Sequence, residues 1–227
     1  MPTVLITGAN RGLGLEYARQ YAADGWRVIA TCRDPESATE LTSLEGQVDI
    51  HALDIGDHGQ IQSLAKSLRK EAIDLLLNNA GVYGPRPSKL GGIEYDAWED
   101  VMRINAMSPL KVCESFRSHV AASDFKRIAV MSSKMGSMGD NGSGASYVYR
   151  SSKAALNAVM KSLSVDLAAR GISVVILHPG WVRTDMGGPG GLIDAHESVS
   201  GLRRVIEGLS LENSGRFYNY DGRELPW

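Results

Sequence analysis

The chain has 227 residues, with 24 Lys and Arg against 26 Asp and Glu, a formal charge of −2, 25 glycines and 2 cysteines. Near-neutral charge argues against a protein that holds nucleic acid by bulk electrostatics, and no apolar run reaches the roughly 18 residues of a membrane span. Cys32 and Cys113 are too few for a disulfide framework and suit a reducing compartment. A single domain of this length buries roughly 70% of its unfolded surface, so it needs no metal or disulfide staple. Patterned sequence begins at Thr3, leaving no room for a secretory signal. The expectation is one cytoplasmic domain over residues 1–227.

Short apolar runs recur along the chain. They are Val4-Leu5-Ile6, then 27–32, a weaker alternating run at 48–53, then 73–77, 127–131 and 172–177, and an aromatic run at 217–220. Runs of four to six apolar and β-branched residues read as strands buried on both faces. Helical patterns lie between them. Residues 13–24 are bounded by glycines. Ile61, Leu64, Ala65 and Leu68 follow a helical spacing, as do Leu156, Val159, Met160, Leu163 and Leu167. Strand–helix alternation predicts an α/β fold: a doubly wound, Rossmann-type parallel sheet of about seven strands with helices on both faces. Three glycine-rich loops, 84–92, 136–144 and 187–191, follow strands at their carboxyl ends, where ligands bind in such sheets.

The first strand runs into Thr7-Gly8-Ala9-Asn10-Arg11-Gly12-Leu13-Gly14 and then a helix. Glycines there let backbone approach a pyrophosphate, and the helix N-terminus offers it unpaired N–H groups. The candidate cradle is therefore Gly8, Asn10, Arg11, Gly12, Leu13 and Gly14. The second strand ends Thr31-Cys32-Arg33-Asp34. A carboxylate at that place bonds the ribose 2′-hydroxyl of NAD, whereas an arginine pairs with the 2′-phosphate of NADP. Arg33 and Arg11 together favour NADP(H) over NAD(H), with Asp34 as the dissenting residue. Asp54, followed by Ile55, ends the third strand and either faces the adenine or caps a helix. Asn78 and Asn79, before Ala80 and Gly81, need partners for their amides, from the sheet, the cofactor or both.

Tyr149 and Lys153 stand at i and i+4 near the start of a helix and share a face. An ammonium beside a phenol lowers the phenol's pKa, which would let Tyr149 exchange protons near neutral pH. Tyr147 lacks such a partner. The glycine turn, Asn78-Asn79-Ala80-Gly81, Tyr149-Arg150-Ser151-Ser152-Lys153 and His178-Pro179-Gly180 occur in the order typical of the short-chain dehydrogenase/reductase family, which the chain resembles over nearly its whole length. The segments 147–157, 177–186 and 220–227 resemble the C-factor and sniffer-like carbonyl reductases within it.

The resemblance implies a catalytic serine at Ser133, with Ser132 and Ser137 as rivals because the loop before Tyr149 is longer than usual. It implies Asn105 as the residue that binds a proton-relaying water, and Lys153 as the holder of the nicotinamide ribose. Asn79, Ala80 and Gly81, and the segment carrying Pro179, Gly180, Val182 and Thr184, would line the cofactor. His178, before a proline, reads as structural rather than as a base. No His, Cys or Asp cluster has metal-ligand spacing. Met135, Met138, Trp181 and Met186 suggest a pocket for a small lipophilic carbonyl substrate, with packing under the loops as the alternative. Residues 187–202 are expected to form a flap that orders on ligand binding. Helices at 110–120 and 156–167 would form a homodimer or homotetramer surface. The expected activity is NADPH-dependent carbonyl reduction. The competing expectation is a dinucleotide-binding signalling or regulatory protein with little turnover. A sugar-nucleotide epimerase would need a larger C-terminal substrate domain.

Overall fold

The computed structural model describes residues 1–86 and 88–227; Pro87, inside the glycine-rich loop 84–92, lies outside the described residues. Seven strands form one parallel sheet: β1 (Thr3–Thr7), β2 (Arg27–Cys32), β3 (Val48–Ala52), β4 (Leu75–Asn78), β5 (Arg127–Met131), β6 (Ser173–His178) and β7 (Arg216–Asn219). Their order across the sheet is β3-β2-β1-β4-β5-β6-β7. The order reverses between β1 and β4, which opens a crevice at the carboxyl edge there.

The register explains why the apolar runs are continuous rather than alternating. Leu5 sits beside Ile29 and Leu76, Leu76 beside Ile128, and Ile128 beside Val174. That row faces one side of the sheet. The next row, Ile6, Ala30, Leu77, Ala129 and Val175, faces the other. Side chains alternate along a strand, so a sheet covered twice needs apolar residues at every position. The first side is covered by α3 (His58–Ser67), α5 (Ser108–Ala121) and α6 (Tyr147–Ala168), through Ile61, Phe116 and Met160. The second is covered by α1 (Gly12–Ala23) and α7 (Ala195–Glu207), through Ala18 and Leu202. Ile61, Phe116, Met160 and Leu202 each contribute roughly 1.5–3 kcal/mol by leaving water.

Two short helices, α2 (Thr39–Thr42) and α4 (Tyr95–Met102), complete the set. A single π-helical turn, Arg103–Met107, joins α4 to α5. Such turns are rare and concentrate at functional sites.

Two expectations need correction. The fourth strand begins at Leu75, not at Ile73, because Ile73 and Asp74 are still entering the sheet. The Ile73 N–H donates to the His119 carbonyl, and the Asp74 carboxylate accepts the Thr3 N–H at 2.8 Å. The second half of the proposed flap is no flap. Asp194 caps α7, and Val199 and Leu202 are fully buried. Only residues 187–194 form a loop, and it is pinned: the Trp181 indole donates to the Gly187 carbonyl, and the Leu192 N–H to the Trp181 carbonyl.

Candidate active site

Every candidate ligand residue stands at the carboxyl edge of the sheet. The glycine turn follows β1, Arg33 follows β2, Asp54 follows β3, Asn79 to Gly81 follow β4, Ser133 follows β5, and Pro179 to Thr184 follow β6.

The glycine turn folds tightly on itself. Gly8 and Gly12 have φ of +67° and +55°, which side-chain-bearing residues rarely adopt. The Asn79 amide donates to the Thr7 and Gly8 carbonyls, both at 3.0 Å, and the Thr7 hydroxyl accepts the Asn79 and Ala80 N–H groups. Asn79 therefore ties the end of β4 to the turn after β1. Asn78 reaches the Cys113 sulfur instead. Asp57 and Asp194 cap α3 and α7 with their carboxylates, but α1 has no side-chain cap. Its first-turn N–H groups lack intrahelical partners and remain available to an anion. An uncapped helix behind a turn of glycines fits the pyrophosphate of a dinucleotide.

At the end of β2, Asp34 turns back on its own loop, accepting the N–H groups of Glu36 and Ser37. Arg33 is exposed, and among the described residues no carboxylate pairs with it. Arg11 does not converge on the same point. It pairs with Asp185 at 3.0 Å, across the crevice. The pairing follows from the loop after β6 lying over the glycine turn, where Thr184 is close to Gly12. Asp54 does not cap α3; Asp57 does. Asp54 accepts the Gly56 N–H at 2.8 Å and thereby shapes its own turn. Ile55 is buried with the core.

The three serines separate by their partners. Ser132 donates to Asn157 at 2.5 Å, and Ser137 donates to the Trp227 carbonyl at 3.2 Å. Ser133 alone stands beside the Tyr149 phenol, where it opposes the rise in the phenol's pKa, and it accepts the Met135 N–H at 3.1 Å. Gly136 brings this turn against α6, since a Cβ on it would lie 2.8 Å from the Lys153 backbone.

Tyr149 and Lys153 are both buried. The expected lowering of the phenol pKa is not found. Burial pushes Tyr149 up to about 12 and outweighs the opposing influence of the Ser133 hydroxyl. The Lys153 ammonium is spent elsewhere. It donates to the Met131 carbonyl at 2.9 Å and stands 5.8 Å from the Tyr149 ring centroid. Burial also pushes Lys153 down to about 8. Between pH 8 and 10 the unfolded lysine holds its proton more tightly than the folded one, so the contribution of Lys153 to stability should rise with pH in that window. The full shift from the ordinary value of 10.5 corresponds to about 3 kcal/mol. The Cys113 thiol and the Tyr149 phenol, both pushed up to about 12 by burial, act in the opposite direction at the alkaline end. Denaturant titrations should show the stability of the wild type relative to Lys153→Met rising between pH 8 and 10.

Asn105 is fully buried in the π-helical turn. Its amide donates to the Val82 carbonyl at 2.8 Å and the Ser152 hydroxyl at 3.0 Å, and accepts the Val82 N–H at 2.9 Å. The amide donors are thus fully used by the protein, and Asn105 fixes the segment after Gly81. His178 is pushed down to about 4 by burial and is neutral at physiological pH. The Pro179 carbonyl accepts the Ser198 hydroxyl, and Gly180 packs against Ile193 and Tyr220 with φ +82°. Val182 is buried and bridges to Ile193.

Of the proposed pocket residues, Met135 and Met186 adjoin the site: the Tyr83 hydroxyl is 3.8 Å from the Met135 sulfur, and Arg86 donates to the Met186 carbonyl. Trp181 packs on Gly190 under its own loop, and Met138 is largely exposed. Tyr83 was not among the sequence candidates. Its ring stacks on Tyr149 with centroids 4.3 Å apart. An aromatic two residues beyond Gly81 at the carboxyl edge was the available signal. No group of His, Cys, Asp and Glu among the described residues could hold a metal ion, and no helix among them is long and apolar enough to cross a membrane.

Residues 2–190 match the family model described as short chain dehydrogenase. The chain belongs to the short-chain dehydrogenase/reductase family. Among curated relatives of this dehydrogenase, the C-signal of Myxococcus xanthus is 43% identical over 167 residues, which are 74% of this chain and all of that protein. Among solved structures, carbonyl reductase Sniffer of D. melanogaster superposes with a TM-score of 0.92 at 32% identity, over the whole of both chains. NADPH-bound carbonyl reductase from chicken fatty liver gives 0.93 at 33% identity, over 100% of this chain and 99% of that one.

Proposed function

We propose that this dehydrogenase is an NADPH-dependent carbonyl reductase acting on small lipophilic ketones, aldehydes or quinones, with Tyr149 as the general acid. The observation that carries the reading is the buried Tyr149 beside Ser133 and Lys153, at the same sheet edge as an uncapped, glycine-rich helix start. The chicken relative crystallised with NADPH supports the cofactor. Gly8, Asn10, Gly12, Leu13 and Gly14 would hold the pyrophosphate, and Arg33 the 2′-phosphate. Asp54, Ile55, Asn79, Ala80 and Gly81 would border the adenosine and ribose. Pro179, Gly180, Val182 and Thr184 would border the nicotinamide end. Arg11 would border the same cradle while paired with Asp185.

The bound cofactor supplies a hydride to the carbonyl carbon. The protein's own residues do the rest. Ser133 donates a hydrogen bond to the carbonyl oxygen and polarises it. Tyr149 gives that oxygen its proton. The phenol is protonated at neutral pH, the form a general acid requires, and its raised pKa makes it a weaker acid than a free tyrosine. Lys153, still charged at neutral pH, would hold the ribose and stabilise the phenolate left when the phenol gives up its proton. Asn105 keeps the Gly81–Val82 segment in place beside Lys153.

Arg33→Ala tests the cofactor assignment. A hydrogen bond to a charged group contributes about 1.5–3 kcal/mol, so kcat/KM for NADPH should fall roughly 10- to 100-fold, with NADH little changed. Initial rates with both dinucleotides, against a panel of quinones, aldehydes and ketones, read cofactor choice and substrate class together. Equal loss with both dinucleotides would contradict the role of Arg33.

The second reading, a dinucleotide-binding signalling protein with little turnover, is favoured by the likeness to C-signal. The intact acid and its serine favour turnover. By family resemblance we also propose a homodimer or homotetramer built on α5 and α6, which light scattering reports directly. A cytoplasmic location is in keeping with the two free, buried cysteines.

A further inference from the structure

The loop after β4 carries a cation that the reaction described so far does not use. Arg86 is exposed, and its guanidinium carbon lies 3.8 Å from the Tyr83 ring centroid. Tyr149 stacks on the same ring at 4.3 Å, so the two partners take opposite faces of Tyr83. The result is a three-layer stack, Arg86–Tyr83–Tyr149, with a fixed charge two layers from the acid.

The guanidinium is far from satisfied. One of its five N–H donors reaches the Met186 carbonyl at 2.9 Å. No carboxylate pairs with it among the described residues. The nearest acid in sequence to that carbonyl, Asp185, is already paired with Arg11. An arginine held flat by an aromatic face and a backbone carbonyl is pre-organised, and its free fork matches a carboxylate or a phosphate. Its charge is felt at the phenol, where it opposes the effect of burial. The Met135 sulfur lies 3.8 Å from the Tyr83 hydroxyl and offers apolar contact between the two ends.

We propose that Arg86 is a substrate-specificity residue that binds an anionic group, so that the preferred substrate is a carbonyl compound with an apolar body and a carboxylate or phosphate at its far end. This rests on the carbonyl reductase reading above and deepens it. The carbonyl oxygen lies at Ser133 and Tyr149. The apolar body passes the edge of Tyr83 beside Met135. The anion meets the free side of Arg86.

The test compares 4-carboxybenzaldehyde with its methyl ester, a neutral compound of nearly the same shape. In the wild type kcat/KM for the acid should exceed that for the ester by about tenfold or more, as expected of one charge-assisted pair. Added salt should shrink the ratio. Arg86→Leu should bring it close to one, and Arg86→Lys should restore part of it. A wild-type ratio near one, or a ratio unchanged in Arg86→Leu, overturns the inference while leaving the reductase reading intact. Calorimetric titration with the same two compounds reads the charge preference without turnover. If neither compound is reduced but the acid still binds preferentially through Arg86, the reductase reading fails and the anion site stands. Equal binding of acid and ester overturns the anion site.

Discussion

Tyr149→Phe should lower kcat by roughly 10²–10⁴ while NADPH binding and the fold are retained, as expected when a positioned general acid is removed. The substitution deletes one oxygen from a buried ring. The stack on Tyr83 and the packing against α6 neighbours depend on the ring, not on the hydroxyl. The Ser133 side chain keeps its hydrogen bond from the Met135 N–H. Steady-state rates and fluorescence titration with NADPH separate the two effects. Loss of turnover together with loss of binding would mean that Tyr149 supports the cofactor cleft rather than the chemistry. Unchanged turnover would remove Tyr149 from the mechanism altogether.

Gly14→Ala should destabilise the protein by about 3 kcal/mol, the upper range of ordinary overpacking, and weaken dinucleotide binding. A Cβ at this position would lie 2.0 Å from the Gly8 carbonyl oxygen and 2.6 Å from the Asn79 amide nitrogen. Both obstacles belong to the cradle itself. Either the turn opens, or Asn79 gives up the hydrogen bonds that tie β4 to β1. In a chain of this size that loss corresponds to a fall in Tm of roughly 6–12 °C. Gly142→Ala is the control. Nothing lies within 4 Å of its added carbon, so its effect should stay within about 0.5 kcal/mol. Thermal melts of the two variants decide the matter. Equal shifts would mean that glycine content, not the close approach at Gly14, governs this region.

The strands were legible because a sheet buried on both faces demands apolar residues without a break, as in β1, β2, β5 and β6. The glycine turn was legible because its spacing between a strand and a helix has few other uses. Other features needed the third dimension. Ser132, Ser133 and Ser137 are alike in sequence. They differ only because α6 presents Asn157 to the first, Tyr149 to the second, and the Trp227 carbonyl reaches the third. Helical spacing correctly brought Tyr149 and Lys153 to one face, yet the sign of the tyrosine shift depended on burial and on the Met131 carbonyl that engages the lysine. The glycines after β6 suggested a flap, but Val199 and Leu202 lie at helical spacing and are needed to cover the second face of the sheet. Arg11 looked like a second phosphate contact. Its partner Asp185 comes from the far end of the chain.

The central claim is that this site transfers a hydride from NADPH to a carbonyl carbon and a proton from Tyr149 to its oxygen. Reaction of the best-reduced aldehyde or ketone with NADPH deuterated at C4 tests it most directly, with mass spectrometry of the alcohol product. The account predicts deuterium on the carbinol carbon from one face of the nicotinamide, and no labelled product from Tyr149→Phe on the same timescale. A product without label, or no NADPH-dependent alcohol from any quinone, aldehyde or ketone, would contradict it.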